Sequence, residues 1–597
     1  MQHADPGAFP RRSRPFARRT GEAGKPAAQF RKIRHAASSA LIRLSTHRSR
    51  RARETNMFEP NRYAAKGVLW CMAALGIALT PSTTVHAQST ADTRPVLTVA
   101  VNELARTLDP AAGNGNVDVR VYYSIYDTLI RRDFNHPDAD GGARLEPGLA
   151  TSWAWTTPTT FEVKLRPGVV CQDGNPFNAD DVLATFSPER LWGPDAYYAE
   201  GPAYFGNLTK VEKLDDMTVR FTTAQHDAAI EQRLSSYMSF VICDEAWNKY
   251  RKDGVPAKTW MDEAAKALRF NPVGTGPYKF ASYQKNDHIT LQAFDRYYGG
   301  RPAARTITFK SVPEVAARIA GVVAGDYDIA AEIPPDQWDA LAGYKDLTLK
   351  TIPLENSHVV VFNTSDPLLS DRNLRQALSL AIDRKALIDA LWKGRTFAPN
   401  GYQLPSFGNL YDKDRAGYRY DPEQAKKLLK QSRYKGEEIS YRLIPNYYLY
   451  NVEAAQIMQE MWRAVGINVR IDFVDSFKDV RKPGVQMYAW SNTYRIPDPT
   501  GSLLILWGPN SEIQKSQKFY TPDPAFNTLA QSLYTATDPA QRRATYRQML
   551  DIFENDMPMT MLYNPVTGYA MKKNVRWQPY SQYYMDFRPD NLSFGSR

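Results

Sequence analysis

The sequence predicts an α/β protein with two or three lobes, and three observations lead to that prediction. The chain has 597 residues, of which 43% are hydrophobic and 23% charged, so it can bury more than one core. Strand-like and helix-like stretches alternate along it, which is typical of α/β proteins. Short Pro- and Gly-rich joints at 271–277 and 363–367 separate three long stretches without a low-complexity linker. Such joints favour a hinged molecule over independent domains.

The individual elements follow from hydrophobic periodicity and capping residues. Runs rich in β-branched and aromatic residues predict strands, among them 96–101, 161–165, 218–222, 306–309 and 359–362. Asp421, with Gln424 three residues later, forms a capping-box pattern that predicts the start of a helix, and Asp383 predicts another. Residues 451–465 show helical spacing, and residues 467–473 then alternate like a strand.

The formal net charge of +11 belongs entirely to the first 56 residues. Residues 1–56 hold 14 Lys and Arg against three acidic residues, so the rest of the chain is formally neutral. Because nucleic-acid-binding domains are basic, we expect no nucleic-acid partner. A basic leader without apolar periodicity is typical of disorder. We therefore expect that residues 1–56 are not part of the working protein and that Met57 is its true start.

Residues 57–87 have the form of a signal peptide. A short basic segment precedes an uncharged apolar stretch of about a dozen residues, and Val85 and Ala87 stand at positions suited to cleavage before Gln88. The apolar stretch is too short for a transmembrane helix, which needs about 20 apolar residues. We therefore expect a soluble periplasmic protein that begins at Gln88.

The usual signatures of catalysis are missing from the sequence. There is no Gly-x-Ser-x-Gly elbow, His-Glu-x-x-His motif, Walker loop or Gly-x-Gly-x-x-Gly motif. The histidines after the signal peptide stand far apart without metal-ligand spacing, which favours surface or packing roles; they are His136, His226, His288 and His358. We expect no enzymatic activity, no cofactor and no metal site, and we keep a secreted hydrolase as a distant alternative.

Two cysteines, Cys171 and Cys243, remain after removal of the signal peptide. In an oxidising compartment two cysteines can form a disulfide, but the bond also requires a short distance between them. Their spacing in the sequence leaves that distance open. The pairing of these residues is therefore a hypothesis.

Aromatic residues give the positive signal for a binding site. The chain contains 12 Trp, 34 Tyr and 25 Phe, and many of them lie in its second half. Rings with a polar edge stack, exclude water and form hydrogen bonds in the same place. The candidates for a ligand cleft, which share polar and turn-like surroundings, are Tyr447, Tyr448, Trp490 and Tyr494. By contrast, the periodicity around Trp462 and Phe473 places those two residues in a core.

Several motifs occur together and in a fixed order along residues 88–597. They are 161–169 with 173–182, 271–280, 297–300, 325–329, 362–364 and 374–383. In this combination the sequence resembles the extracytoplasmic solute-binding proteins of ABC importers, in the peptide/nickel-binding group known as family 5. Several spaced motifs in order are far more specific than any single one of them.

The resemblance implies a bilobal periplasmic-binding-protein fold, type II-like and hinged, with an extra α/β subdomain. Lobe I would comprise 88–130, 273–362 and 561–597, the subdomain 131–272, and lobe II 363–560. In this family the ligand is enclosed between the lobes by hinge closure and is delivered to a membrane permease. We therefore expect a small-molecule solute and an ABC permease as partners, and a monomeric protein.

The charged residues that bind peptide termini in dipeptide-binding relatives are replaced here. Their acidic residue, three positions after the Trp that corresponds to Trp490, is Thr493 in this chain, and the loop 444–450 lacks their arginine. An unpaired charge in a closed cleft costs several kcal/mol. A zwitterionic dipeptide is therefore disfavoured, unless Arg495 and Asp498 take over both roles.

Two further observations complete the predicted site. Arg495 carries a fork of donors that could grip a carboxylate or a sugar acid, although a surface position on a loop explains it equally well. Asn114 and Asn116 follow the first strand in a region that often contacts ligand in the family.

The solute classes left open are an atypical peptide or amino-acid conjugate such as glutathione or an opine, an oligosaccharide, and a chelated metal.

Overall fold

The computed structural model describes residues 92–113 and 115–595. The expected leader 1–56, the expected signal peptide 57–87 and Asn114 lie outside the described residues. Strands and helices alternate through the described part, and the prediction of a bilobal α/β fold is confirmed.

The described strands are short, and several begin or end within one residue of the predicted bounds. They are β1 (Val96–Val101), β2 (Ile130–Asp133), β3 (Arg144–Pro147), β4 (Ala150–Thr157), β5 (Thr160–Leu165), β6 (Leu208–Asp215), β7 (Thr218–Thr223), β8 (Tyr278–Gln284), β9 (His288–Ala293), β10 (Thr306–Ser311), β11 (Ile329–Ile333), β12 (Leu347–Pro353), β13 (Asn356–Phe362), β14 (Ile439–Leu443), β15 (Val469–Phe473), β16 (Met487–Thr493), β17 (Met559–Tyr563), β18 (Val566–Lys572), β19 (Val575–Trp577) and β20 (Leu592–Phe594).

The described α-helices range from a single turn to five turns. They are α1 (Asn116–Ile125), α2 (Ala179–Thr185), α3 (Gly201–Phe205), α4 (Ile230–Leu234), α5 (Asp244–Asn248), α6 (Ala257–Leu268), α7 (Val315–Ala324), α8 (Trp338–Leu341), α9 (Arg372–Leu380), α10 (Arg384–Trp392), α11 (Pro422–Gln431), α12 (Asn451–Ala464), α13 (Phe477–Val480), α14 (Leu503–Trp507), α15 (Glu512–Lys515), α16 (Pro524–Thr535) and α17 (Pro539–Asp556).

Lobe I is built on a seven-stranded mixed sheet in the order β12-β18-β11-β1-β10-β9-β8. Strand β1 lies at its centre and pairs in parallel with β10 and β11. The remaining pairs in this sheet are antiparallel. The carboxyl ends of its parallel strands therefore meet at one edge.

Lobe II is built on a five-stranded sheet in the order β15-β14-β16-β13-β17. Strand β14 is parallel to both β15 and β16, whereas β13 is antiparallel to β16 and β17. Both faces of this sheet are covered, since Val360 and Phe362 pack into one core and Val359 and Val361 into another. Burial on both faces explains the continuous apolar run of β13.

The subdomain contains a four-stranded antiparallel sheet in the order β4-β5-β7-β6, with the hairpin of β2 and β3 beside it. Cys171 and Cys243 lie within the subdomain and are joined by a disulfide, with their Cα atoms 6.2 Å apart. This bond closes a loop of 72 residues inside one structural unit.

The chain passes between the two large sheets at two crossovers. One lies between β12 and β13 and the other between β17 and β18. They run side by side, because the Leu354 amide donates a hydrogen bond of 2.9 Å to the Pro565 carbonyl. Strand β13 lies in the lobe II sheet, whereas the family resemblance predicts that 356–362 belong to lobe I. A run of buried apolar residues shows that a strand is central but not which sheet contains it.

Two predicted helix caps are present at the atomic level. The Asp421 carboxylate accepts a hydrogen bond from the Gln424 amide at 2.9 Å, and Asp383 accepts one from Ala386 at 2.9 Å. The full capping box is not formed at Asp421, because the Asp421 amide donates to the Leu380 carbonyl instead. Within the described part of the chain, no helix has the length and apolar character needed to cross a membrane.

Candidate functional site in the cleft between the lobes

The parallel-strand edges of both sheets lie at the crossovers, because β12 ends at the lobe I edge and β13 begins at the lobe II edge. We call the space beside these two edges the cleft. In lobe I the residues that follow β1 and β11 lie at this edge, and in lobe II the residues that follow β14, β15 and β16 do. Ligands of α/β proteins bind beyond the carboxyl ends of parallel strands, where loops converge and backbone groups are unpaired. Strand polarity therefore places the segments 444–450, 474–481 and 494–498 on one wall.

Aromatic rings form the lobe II wall. The Tyr447 ring packs edge-on against Tyr448 and Phe477, with ring centres 4.8 and 4.9 Å apart. Burial raises the pKa of both tyrosine hydroxyls, and the charge of Arg106 from lobe I acts against that rise at Tyr447. Arg106 and Tyr447 are therefore close across the cleft. The hydroxyls are neutral at physiological pH and can both donate and accept hydrogen bonds.

A buried histidine supports this wall from below. The His358 ring lies 5.2 Å from the Tyr448 ring and 5.3 Å from the Tyr563 ring, and the residue is 5% exposed. Burial lowers the pKa of His358 to about 3, because a charged imidazole would lose its hydration there. His358 is therefore a neutral packing residue, in agreement with the role that its isolated position in the sequence favours.

Trp490 lies on β16 beside a cation. The guanidinium carbon of Arg481 is 5.0 Å from the centre of the Trp490 ring and 5.9 Å from that of Tyr488. Trp490 is half-buried, and its ring centre is 6.4 Å from the Trp507 ring. Arg481 was not among the predicted site residues, because no motif surrounds it.

The lobe I wall contains an ion pair with one unsatisfied oxygen. Arg120 on α1 lies 3.2 Å from the Glu332 carboxylate and donates to the Asn102 side chain at 3.3 Å. The other carboxylate oxygen of Glu332, Oε2, is buried without a hydrogen-bond partner among the described residues. Glu332 also has a φ of +55°, at a register shift in β11. A residue other than glycine is strained in this backbone conformation, and such strain is common at functional sites.

The remaining lobe I candidate is Asn116, which opens α1 and is half-buried. Its side chain forms no hydrogen bond with the other described residues. It lies on the same helix as Arg120, at the edge where β1 ends.

Two predicted residues are directed into the protein core instead of the cleft. Tyr494 is 0% exposed, and its ring packs 5.1 Å from Tyr402. Asp498 is 3% exposed and forms an ion pair of 2.9 Å with Arg542. The same carboxylate caps a helical turn by accepting the Thr500 amide at 2.8 Å. Burial opposes the charged form of Asp498, but Arg542 and Thr500 lower its pKa.

Thr493 and Arg495 have other partners. The Thr493 hydroxyl accepts a hydrogen bond of 3.1 Å from Asn356 on the neighbouring strand. Arg495 lies over the Tyr237 ring of the subdomain at 4.5 Å. Burial opposes its charge, but nearby phenol groups and the Glu200 carboxylate outweigh burial and raise the pKa of Arg495. Arg495 therefore connects lobe II to the subdomain.

A second ion pair holds the joint between the lobes. Arg132 from the hairpin β2–β3 forms a bidentate ion pair with Glu355 at the first crossover, with N···O distances of 2.6 and 2.5 Å. Gln582 donates to the same carboxylate at 3.0 Å. Burial would raise the pKa of Glu355, but Arg132 outweighs burial and lowers it. The joint is thus stabilised by a charged pair at neutral pH.

A separate groove of about 630 Å³ lies beside the crossovers. Trp338 and Thr351 of lobe I and Phe397 of lobe II line it. None of the predicted site residues contributes to this groove. It is therefore distinct from the aromatic wall of the cleft.

The structure brings Tyr447, Tyr448 and Trp490 to the cleft wall and places Tyr494 and Asp498 away from it. The first three share one side of the lobe II sheet edge, and Arg481 links them because it interacts with both Tyr448 and Trp490. Sequence reasoning missed Arg481 and Glu332. Glu332 is marked only by its left-handed backbone conformation, which the sequence does not reveal. No sequence motif marks Arg481.

Known proteins share both the sequence pattern and the fold. The dipeptide-binding protein of Escherichia coli K12 is 27% identical over 462 residues, which cover 73% of this chain and 84% of that protein. The glutathione-binding protein of Salmonella typhi is 28% identical over 495 residues, covering 80% and 90%. A periplasmic binding protein of Helicobacter pylori, solved with the peptide STSA, superposes with a TM-score of 0.72 at 22% identity and covers 84% of this chain and 98% of that one.

A family model matches most of the described chain. It is described as bacterial extracellular solute-binding proteins, family 5 Middle, and it aligns with residues 144–514. That range includes the subdomain sheet, the first crossover and most of lobe II with its aromatic wall. The chain therefore belongs to family 5 of the bacterial extracellular solute-binding proteins.

Proposed function

We propose that this protein is the periplasmic substrate-binding component of an ABC importer and that it captures a peptide-like solute between its lobes. The observation that carries the proposal is the cleft itself. The parallel-strand edges of two sheets both lie there, beside two adjacent crossovers that join the sheets. Such an arrangement suits a binding protein that closes on its ligand by rotation at a joint.

The relatives support a peptide-like solute, and the cleft residues favour an amino-acid conjugate over a plain dipeptide. The relatives' names include dipeptides and glutathione. Thr493 stands where dipeptide-binding relatives have an acidic residue, and its hydroxyl is bonded to Asn356. Asp498 cannot replace that acid while Arg542 neutralises it. The ammonium group of a dipeptide would therefore lack its usual partner.

An oligosaccharide is the second candidate, and the aromatic wall favours it. Sugar rings stack on exposed aromatic faces while their hydroxyls bond to polar edges. Tyr447, Tyr448 and Trp490 provide such faces. The chelated-metal alternative has weaker support. Within the described chain, one cluster of potential metal-ligating side chains is compact enough to hold a bare ion. It consists of Cys171, Asp181 and Cys243, and its two sulfurs are bonded to each other.

The proposal includes export, a membrane partner and the absence of catalysis. Residues 57–87 would direct export and be removed, and the protein from Gln88 onward would act as a monomer that delivers solute to a permease. It would neither turn over its ligand nor bind nucleic acid. N-terminal sequencing of the periplasmic protein tests the cleavage, and light scattering coupled to gel filtration tests the monomer.

Native mass spectrometry of residues 88–597, purified from the periplasm, is the decisive experiment. We expect a co-purified solute that is released on denaturation, and small-angle scattering should show a more compact protein with solute than without it. A ligand at 100 times its Kd should also stabilise the fold by about 2.7 kcal/mol. A folded protein that retains no solute from its own periplasm, and none from a concentrated cell extract, would contradict the proposal.

A further inference from the structure

Arg481 differs from the other arginines near the cleft. Four of them have an acidic neighbour, namely Arg106 with Asp118, Arg120 with Glu332, Arg132 with Glu355 and Arg495 with Glu200. Arg442 at the end of β14 instead donates to the Asp479 and Lys482 carbonyls. No acidic group lies within ion-pair distance of Arg481 among the described residues, and the side-chain neighbours of its guanidinium are the neutral Tyr488 and Trp490. Its Nε is buried and unpartnered.

Aromatic rings hold the Arg481 guanidinium in place. The Trp490 ring centre is 5.0 Å from the guanidinium carbon, and the Tyr488 ring centre is 5.9 Å from it. A guanidinium over a ring keeps its N–H donors available for partners in its own plane. The contacts orient the charge without neutralising it, so the residue is arranged in advance for an anionic partner.

Arg481 also belongs to the cleft wall. Burial raises the pKa of Tyr448, and the charge of Arg481 acts in the opposite direction, so the two side chains are close enough to interact. The Arg481 amide donates a hydrogen bond of 3.3 Å to the Phe477 carbonyl, and the Phe477 ring contacts both Tyr447 and Tyr448. Arg481 therefore lies on the lobe II wall beside these tyrosines.

Resting on the proposed function, we propose that Arg481 is the residue that binds a carboxylate of the solute. A planar carboxylate can accept two parallel hydrogen bonds from a guanidinium. On closure, the solute would supply the negative charge that the described residues do not provide around Arg481. The solute class is thereby narrowed to carboxylic acids, such as an amino-acid conjugate or a sugar acid, and a neutral oligosaccharide is excluded.

The test compares wild type with Arg481→Gln by incubating each protein with a concentrated bacterial cell extract. Solutes retained after gel filtration are identified by mass spectrometry and then titrated as pure compounds by calorimetry. Arg543→Gln is the matched control, because Arg543 also has a buried, unpartnered Nε but lies on α17. Circular dichroism and thermal melting establish that each variant is folded.

We expect wild type and Arg543→Gln to retain a carboxylic acid, and Arg481→Gln to bind it about 30-fold or more weakly. The methyl ester of the same acid should bind wild type and Arg481→Gln equally weakly. If Arg481→Gln misfolds, Arg481→Lys serves instead, with a smaller loss because lysine lacks the planar fork.

Two results would overturn the inference. A retained solute that binds folded Arg481→Gln as tightly as wild type, or that lacks any anionic group, would contradict the role of Arg481 and leave the proposed function intact. Retention of no solute by folded wild type would overturn the proposed function, and the inference with it.

Discussion

The cleft wall around Tyr448 and the loop 494–498 follow neighbouring strands of one sheet, yet they satisfy their polar groups differently. In the loop, the Asp498 carboxylate is paired with Arg542 and Thr500, and the Tyr494 hydroxyl is 3.3 Å from Ser357. In the wall, Arg481 has no acidic partner among the described residues. A polar side chain that finds all its partners within the fold stabilises the fold, and one that does not is available to a ligand.

Breaking the ion pair of the loop should have the largest effect on stability and none on affinity. Asp498→Asn leaves the Arg542 charge buried without its counter-ion, so we expect the free energy of unfolding to fall by about 3–5 kcal/mol. Urea denaturation followed by circular dichroism measures this loss, and calorimetry measures affinity for the co-purified solute.

The matched control for this change is Asp253→Asn, because Asp253 is exposed on a loop. We expect it to change the stability by less than about 0.5 kcal/mol. A folded Asp498→Asn protein with normal stability and weakened binding would place Asp498 in the site after all.

The second prediction concerns pH and the residue beneath the wall. His358 has a folded pKa of about 3, below its value of about 6.5 in the unfolded chain. As pH falls through 6.5, the unfolded chain binds a proton that the folded protein excludes, so stability decreases. Between pH 7 and pH 5 the loss should be about 2 kcal/mol.

His358→Phe removes the imidazole that takes up a proton in the unfolded chain, and it keeps an aromatic ring beside Tyr448 and Tyr563. We expect its stability to fall about 2 kcal/mol less than that of wild type over the same pH interval. Urea denaturation at both pH values measures the difference. Equal losses in the two proteins would show that His358 is protonated in the folded state.

A smaller loss of stability distinguishes Tyr494 of the loop from the tyrosines of the wall. Tyr494→Phe loses a buried hydrogen bond to Ser357, and we expect about 1 kcal/mol of destabilisation with unchanged affinity. Thermal unfolding and calorimetry measure the two quantities. Weaker binding without loss of stability would reverse the assignment of Tyr494.

The smallest effect on stability should come from the wall itself. The Tyr448 hydroxyl accepts a hydrogen bond from the Ser491 backbone amide, but the residue is only half-buried, so Tyr448→Phe should lower stability by about 0.5 kcal/mol, less than Tyr494→Phe. We expect solute affinity to fall about five- to tenfold, as for loss of one hydrogen bond to the ligand. Calorimetry on the pair Tyr448→Phe and Tyr494→Phe tests the comparison directly, and identical affinities would contradict it.

Local structure could be predicted where a residue acts on its immediate neighbours. Strand β1 has the predicted bounds, and Asp421 and Asp383 cap their helices, because periodicity and capping depend on only a few adjacent residues. Phe473 shows the limit of this reasoning. Alternation placed it in a core, but it is 56% exposed because β15 is the edge strand of its sheet. Trp462, on the helix before it, is 0% exposed as predicted.

The site could be predicted only in part, because its chemistry depends on contacts between distant residues. Tyr447, Tyr448 and Trp490 were found from their surroundings in the sequence. Asp498 looked available in the sequence, and only the structure pairs it with Arg542, which is 44 residues away. Arg481 is identified by the absence of an acidic neighbour in space, a property that sequence does not contain.

The two crossovers also determine how the lobes can move. Each contains two residues between strand ends, 354–355 and 564–565, so each can span only about 10 Å even when fully extended. Two short tethers side by side prevent the lobes from sliding or separating and leave rotation about the line through both tethers. A molecule with a single angular degree of freedom acts as a lever, in which displacement grows with distance from the axis. One pair of spin labels far from residues 354 and 565 would therefore report the state of the whole cleft.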